Sequence, residues 1–204
     1  MTVTVTQRPN IGSSGLIEII DGLPFEGFGS GGFGPNDLWI VGNEEDNLLR
    51  YGTGHDLLEG HGGNDTLLGG DLNDTLFGDE GNDVLDGQEG TDKLYGGPGD
   101  DLLWAGHGHD RLTGDGGLGE KGNDIFGFYA LGHFQISDFT LGQDRLLFDS
   151  ERLGVNSIEE LVSYITNTHQ TAEGVTVEFG PDASIELVGI NLNDITAEMV
   201  IFNL

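Results

Sequence analysis

Leucine recurs at every ninth position through the middle of the chain, from Leu58 to Leu112. Most positions between successive leucines are polar residues or glycine. A period of nine is too short for a helical repeat or a propeller blade. It is typical of a solenoid in which each repeat is one tight turn followed by one very short strand. The pattern therefore predicts a stack of turns.

Two such repeats form one coil with a strand on each side, so a residue stacks on the residue eighteen positions later, at about 4.8 Å. The periodic leucine points inward and its strand neighbours point outward. This arrangement predicts two internal columns, Leu49, Leu67, Leu85 and Leu103 in one and Leu58, Leu76, Leu94 and Leu112 in the other.

An aspartate precedes each periodic leucine by two positions, and a glycine usually precedes that aspartate by two more. The aspartates are Asp56, Asp65, Asp74, Asp83, Asp92, Asp101 and Asp110. The glycines are Gly54, Gly63, Gly81, Gly90, Gly99 and Gly108. The nine-residue spacing shifts at "GDGGL" (114–118) and resumes at Asp124. Asn47 stands in the aspartate position of an earlier repeat, and Leu72 stands where a glycine is expected.

The leucine columns alone make a thin core. One buried leucine contributes roughly 1.5–3 kcal/mol, whereas ordering nine residues costs about 1–2 kcal/mol each in backbone entropy. Glycine-rich turns expose carbonyl oxygens, and carboxylates from two stacked turns would complete an oxygen cage of the kind that selects Ca²⁺. We therefore expect the metal to stabilise the fold.

Aspartates two repeats apart would share an ion, which predicts about five sites and a sixth across the 114–118 insertion. The pairs are Asp56 with Asp74, Asp65 with Asp83, Asp74 with Asp92, Asp83 with Asp101, Asp92 with Asp110, and Asp101 with Asp124. Without metal, low hydrophobicity and high charge favour disorder of the same segment.

The overall composition agrees with a cation binder. The 204 residues include 36 Asp and Glu against 7 Lys and Arg, a net charge of −29. This charge argues against nucleic acid and anionic membrane surfaces as direct partners. No cysteine is present to form a disulfide, and no apolar run is long enough to span a membrane. The N-terminus lacks the basic and apolar regions of a Sec signal peptide.

Residues 42–127 resemble the nonapeptide repeats G-G-x-G-x-D-x-U-x of RTX (repeats-in-toxin, hemolysin-type) proteins, with "GGPGDDLLW" (96–104) the fullest copy. The resemblance implies an all-β fold, a right-handed parallel β-roll with Ca²⁺ between turns two repeats apart. It also implies weak or no binding at the first turn, where Asn47 lacks the charge. Leu72 departs from the glycine of the motif in its own turn.

We divide the chain into an N-terminal arm or cap (1–32), the roll (33–127) and a C-terminal segment (128–204). The cap would use Phe25, Phe28 and Phe33 to cover the first turn. In the C-terminal segment, strands are expected at 133–139, 144–148, 175–179 and 184–190. One helix is expected at 158–168, after a capping box of Ser157 and Glu160.

This last segment is similar to the portion that follows the repeats in serralysin-type secreted proteins. The matching motifs are Asp124-Ile125-Phe126-Gly127-Phe128, Ile136-Ser137-Asp138-Phe139 and Gly142-Gln143-Asp144-Arg145-Leu146. By resemblance, "EMVIFNL" (198–204) would be an uncleaved signal for a type I exporter. The implied location is extracellular.

No catalytic motif is found: both H-E-x-x-H and G-x-S-x-G are absent. His107 and His109 form a close pair without a third zinc ligand. Two rows of outward strand residues could contact a partner. These are Glu59, Phe77, Tyr95 and Thr113 on one side, and Arg50, Leu68, Asp86 and Trp104 on the other.

The sequence thus favours a secreted, non-enzymatic calcium-binding protein that is surface-associated or a binding module. Two alternatives stay open: a carrier domain that serves secretion of an exoenzyme, which requires a catalytic domain before it, and a polysaccharide-binding module like those of epimerase-type enzymes. A glycan or a cell-surface molecule is the partner these ideas would require.

Overall fold

The computed structural model describes residues 18–21, 37–50, 52–116 and 121–203, with residues 18–21 described by their backbone alone. The strands are β1 (Glu18–Asp21), β2 (Leu38–Asn43), β3 (Leu48–Arg50), β4 (Leu57–Gly62), β5 (Thr66–Asp71), β6 (Thr75–Glu80), β7 (Val84–Gly90), β8 (Lys93–Tyr95), β9 (Leu102–Trp104), β10 (His107–Thr113), β11 (Ile125–Phe128), β12 (Gly132–Ile136), β13 (Arg145–Asp149), β14 (Asn167–Gln170), β15 (Gly174–Glu178), β16 (Ser184–Val188) and β17 (Val200–Asn203). The helices are α1 (Ser150–Leu153) and α2 (Ile158–Tyr164), with single 3₁₀ turns at Leu192–Asp194 and Ala197–Met199.

The strands form two parallel stacks on opposite sides of a narrow core. One stack runs β2, β4, β6, β8, β10, β12, β16. The other runs β3, β5, β7, β9, β11, β13, β17. The all-β parallel roll predicted from the sequence is therefore confirmed.

Registers between neighbouring coils follow the eighteen-residue spacing. Leu58 pairs with Leu76, and Leu67 pairs with Leu85. All eight leucines of the two predicted columns are at most 1% exposed. The nine-residue period therefore encodes both the inward face and the register, because a shift by one residue would turn every leucine outward.

Beyond the repeats the same stacks continue, but the core changes in chemistry. In the first stack, Phe134 and then Ile185 follow Asp110 in register, so apolar residues take the aspartate position. Aromatic rings then fill the interior, with centroid separations of 5.1 to 5.9 Å, among Phe126, Phe128, Phe134, Phe139 and Phe148. The core of this segment therefore contains larger, aromatic side chains in place of the leucine columns of the roll. The division of the chain at 127 stays a prediction.

The ends of the stacks are antiparallel. β1 pairs with β2 at the first coil, and β14, β15 and β16 form a meander at the last. The expected cap of Phe25, Phe28 and Phe33 lies outside the described residues.

The predicted helix is confirmed in position but is shorter than expected. Ser157 accepts the N–H of Glu160 at 3.2 Å, and the Glu160 carboxylate accepts the N–H of Asn156 at 2.7 Å. The helix ends at Tyr164 instead of 168, because the next residues pair as β14 with β15. α1 and β14 were not expected from the sequence.

Candidate metal sites along the turns

The periodic aspartates form a continuous internal ladder. Asp56, Asp65, Asp74, Asp83, Asp92, Asp101, Asp110 and Asp124 are each at most 3% exposed. In all six pairs expected to share an ion, the backbone N–H of one aspartate donates to Oδ1 of the next, at 2.7 to 3.0 Å. The structure therefore joins the predicted partners, including Asp101 and Asp124 across the insertion.

The second carboxylate oxygen, Oδ2, behaves differently. In each of these eight aspartates it is buried and has no hydrogen-bond partner. A buried polar oxygen without a partner is destabilising, and a buried charge more so. A row of such oxygens indicates that the turns are built to hold a positively charged species.

Burial also makes these carboxylates hard to ionise without a cation. Desolvation raises the pKa of Asp74, Asp101 and Asp110 from 3.8 to about 8, and backbone N–H donors only partly oppose it. The same cause raises the pKa to about 7 for Asp83, Asp92 and Asp124 and to about 6 for Asp56, and it also raises that of Asp65. A divalent cation would reverse this effect by stabilising the ionised form.

Six of the eight unpaired oxygens face a glycine at the start of the turn, and these belong to Asp65, Asp74, Asp83, Asp92, Asp101 and Asp124. Ala105 and Tyr51 occupy the corresponding position before Asp110 and Asp56. A Cβ added to Gly78 would collide with Asp83 Oδ2 and lie 2.6 Å from the carbonyl oxygen of Gly96 in the next coil. Carboxylate and carbonyl oxygens therefore converge on a space that only glycine leaves open. The same cradle recurs at Gly60 and Gly69. These glycines were not among those predicted from the sequence.

The glycines predicted from the sequence, two positions before each aspartate, lie where successive turns approach each other and not in the cradle. A Cβ on Gly81, Gly90, Gly99 or Gly108 would collide with a carbonyl oxygen of the coil eighteen residues earlier. Gly54 and Gly63 lie at the same position of their turns, with φ of 147° and 104°. These residues permit close approach of successive turns. A role as metal ligands through their carbonyls stays a prediction.

Leu72 occupies this glycine position with φ of 80°. A leucine in that conformation is strained, since its Cβ crowds the backbone. The side chain is 51% exposed, so packing does not offset the strain. Leu72, which departs from the repeat in the sequence, therefore strains the backbone of its own turn.

Two further aspartates close the ladder and were not predicted as site residues. Asp144 accepts the Asp124 N–H with Oδ1 and the Thr140 N–H with Oδ2. Asp138 accepts the N–H groups of Gly114 and Gly116. Since every one of these oxygens is engaged, both residues serve as caps. At the other end, the side chain of Asn47 accepts the N–H of Asn43 within its own turn.

A second ladder runs beside the first on the outer side of the turns. Asn64 Oδ1 accepts the N–H of Asn82, and Asn82 Oδ1 accepts that of Asp100, at 2.8 and 2.9 Å. Here each side chain reaches the following coil's N–H, opposite in direction to the aspartate ladder. These hydrogen bonds tie the turns together without metal.

Within the described ranges no three His, Asp or Glu side chains form a cluster that could hold a metal ion. Cages made from two carboxylates and backbone carbonyls do not need such a cluster. His107 lies 3.7 Å from Glu89, whereas the His109 ring lies 4.6 Å from that of His133. The two histidines of the close pair therefore make separate contacts.

The outward rows follow the predicted register. Phe77 and Tyr95 stack with ring centroids 4.7 Å apart and planes within 8°. On the other side Asp86 lies between Leu68 and Trp104, and Tyr129 packs on Trp104 at 5.8 Å.

No helix in the described part of the chain is long and apolar enough to cross a membrane.

Comparison with known proteins identifies the repeats. A family model of the RTX calcium-binding nonapeptide repeat, in four copies, matches residues 41–76, 68–102 and 86–117. Among curated protein sequences none matches the chain.

Three solved structures are similar. One subunit of a mannuronan C5-epimerase from Azotobacter vinelandii is 26% identical, with 64% of this chain and 78% of that chain covered and a TM-score of 0.47. A second subunit of that enzyme is 27% identical, covering 66% and 91%, with a TM-score of 0.49. The extracellular lipase LipA of Serratia marcescens is 18% identical, covering 79% and 39%, with a TM-score of 0.31.

The matched repeats coincide with the coils whose leucine columns, buried aspartates and glycine cradles are described above. Over residues 41–117 the chain therefore carries the calcium-binding nonapeptide repeats of the RTX family.

Proposed function

We propose that the chain is a secreted, non-enzymatic protein whose roll folds outside the cell by binding about five or six Ca²⁺ ions. The observation that carries the proposal is the row of eight buried Oδ2 atoms without a partner. Six hydrogen-bonded aspartate pairs connect successive coils, and each pair would hold one ion.

Aspartates and glycines of the chain contribute differently to each proposed site. The aspartate carboxylates supply negative charge, and the first-position glycines leave room for a cation beside carbonyl oxygens. Bound Ca²⁺ would neutralise carboxylates that burial otherwise destabilises. The predicted ligand set remains Asp56, Asp65, Asp74, Asp83, Asp92, Asp101, Asp110 and Asp124, with the turn carbonyls.

The coupling between calcium binding and folding also supports secretion. At the low calcium level of a cytoplasm the roll would be unfolded, and it would fold at the roughly millimolar level outside, because binding free energy acts as folding free energy. An unfolded chain can pass a narrow type I exporter, and folding outside opposes its return. The absence of H-E-x-x-H and G-x-S-x-G supports a role in binding rather than catalysis.

Calcium titration of the full chain by calorimetry tests the metal part. We expect five or six ions per chain, taken up together with a gain of strand signal in circular dichroism. Uptake of only one or two ions would contradict the scheme. Export is tested separately by expressing the chain together with a type I exporter, with and without residues 198–204. Equal export of both forms would show that residues 198–204 are not the export signal.

A second candidate, polysaccharide binding, is favoured by the stacked Phe77 and Tyr95 rings. The two rings cover each other's facing sides, and Phe77 also lines an outward groove with Glu59 and His61. The C–H groups of a sugar could pack on the remaining ring surface, and Glu59 could accept hydrogen bonds from its hydroxyl groups. Neutral glycans are the better fit, since the net charge of −29 repels polyanions. A glycan panel with the calcium-loaded wild type and Phe77→Ala tests this role, with loss of a wild-type signal expected.

A further inference from the structure

An apolar cavity of about 300 Å³ lies beneath helix α2, away from the calcium-binding turns. Its floor is formed by rings and aliphatic groups of β11, β12, β13 and β16, and its cover by Leu161 and Tyr164 of the helix. Nearly all its lining residues are apolar, and Ser184 is an exception. The cavity is about twice the size of the ~150 Å³ apolar cavity that takes one benzene molecule.

The covering helix is not packed as a core helix would be. None of the residues of α2 is buried, and Val162 and Tyr164 are 57% and 56% exposed. Leu161 is only partly buried where it packs against the core. An amphipathic helix normally buries its apolar stripe, so this helix lies over space that the side chains of the described residues do not fill.

Two polar groups at the cavity are already engaged, while the hydroxyl of the exposed Tyr164 lies at its edge. The hydroxyl group of Ser184 lies 2.9 Å from Nδ1 of His133. Arg152, the cation beside the lining residue Leu153, lies 3.7 Å from Asp149 and has its guanidinium carbon 4.3 Å from the centre of the Tyr129 ring. These groups leave shape and apolar contact as the means of recognition.

The charges along the chain beside the lining residues are mainly negative. Asp149, Glu160, Glu178 and Asp182 each adjoin a lining residue in sequence. An anionic head group, such as a fatty-acid carboxylate, would be repelled by these carboxylates and by the net charge of −29. Charge complementarity therefore selects a neutral occupant.

We propose that the cavity under α2 binds one neutral hydrocarbon molecule of about twelve carbon atoms or two fused or linked rings, with α2 closing over it. Binding would bury the exposed apolar stripe of the helix together with the ligand. The site is independent of the calcium-binding turns and of the outward Phe77 and Tyr95 pair.

A matched pair of dyes tests the proposal on the calcium-loaded full chain. N-phenylnaphthylamine is neutral, and anilinonaphthalene sulfonate has a similar aromatic framework with a negative charge. We expect saturable one-to-one fluorescence enhancement with the neutral dye, displacement by dodecanol, and at least tenfold weaker binding of the anionic dye. Bound dye should also slow amide hydrogen exchange across residues 158–164.

Cavity-filling variants localise the site. Ala183→Leu introduces a larger side chain at a lining residue that is 5% exposed, and it should weaken the neutral dye at least tenfold. Ala172→Leu makes the same change at an exposed alanine outside the cavity and should leave binding unchanged. Circular dichroism in calcium checks folding, and Ala130→Leu, at a second lining residue, replaces Ala183→Leu if that variant does not fold.

Three binding results would overturn the proposal. These are the absence of saturable binding by the neutral dye, equal binding by the wild type and a folded filling variant, and equal affinity for the two dyes. Slowed exchange only outside residues 158–164 would place the dye elsewhere and have the same consequence.

Discussion

Replacing Asp83 should separate its two roles, because Asp83 both accepts a hydrogen bond and belongs to two proposed sites. Its Oδ1 accepts the N–H of Asp65 at 2.7 Å, and its own N–H donates to Asp101 at 2.8 Å. Asp83→Asn keeps an acceptor oxygen, as Asn47 does in the first turn, and removes the charge. Asp83→Ala removes both.

The magnitude follows from the number of ions lost. At calcium levels about 100-fold above Kd, each ion adds about 2.7 kcal/mol to the free energy of unfolding. For sites with Kd of about 0.1 mM, as in extracellular calcium modules, this condition is about 10 mM calcium. Asp83→Asn should therefore lose about 5 kcal/mol, and Asp56→Asn, which affects one proposed pair, about half as much.

Asp83→Ala should lose a further 1–3 kcal/mol or so, because the buried N–H of Asp65 is left without its acceptor. Urea unfolding followed by circular dichroism in about 10 mM calcium measures all three variants. Asp71→Asn is the matched control, since it removes the same charge from an exposed position. The reasoning is refuted if Asp83→Asn is no less stable than Asp71→Asn, or no less stable than Asp56→Asn.

Three more predictions follow from other features. Leu72→Gly should raise the free energy of unfolding by up to about 1 kcal/mol by relieving a φ of 80°, whereas Leu141→Gly, at an exposed leucine without a positive φ, should not. In calcium-free buffer, circular dichroism should show more strand at pH 4 than at pH 8. Burial raises the pKa of Asp74 and Asp101 from 3.8 to about 8, so the folded state holds protons that the unfolded state releases, and this stability is lost as pH rises toward 8. Tyr129→Phe should cost about 1–2 kcal/mol in urea unfolding by removing the 2.8 Å hydrogen bond to Asp86, with no further cost on an Asp86→Ala background, where the acceptor is already gone.

The roll was predictable because its signal is repeated and redundant. Each leucine is inward at a fixed interval, so one register satisfies all of them. The aspartate pairs were predicted by counting two repeats along the sequence. The sequence could not show which carboxylate oxygen is engaged, because that depends on how closely successive coils approach.

The glycines of the cradle were missed for a related reason. Glycine is common throughout the turns, and only the three-dimensional arrangement shows that Gly78 leaves room beside Asp83 while Gly81 permits contact with the earlier coil. In the C-terminal segment, the helix predicted from the capping box ran to Thr168, whereas pairing of β14 with β15 ended it at Tyr164. Tertiary pairing overrode local preference there.

The dependence of folding on calcium is the central claim, and hydrogen exchange with and without EGTA tests it most directly. With calcium present, amides of β4 to β10 should be protected. With calcium removed at neutral pH, those amides should exchange at the rate of an unfolded chain, while β12, β13 and β16 keep part of their protection through the aromatic core around Phe128. Unchanged protection of β4 to β10 in EGTA would show that the roll is stable without metal and would contradict both the folding switch and the export scheme.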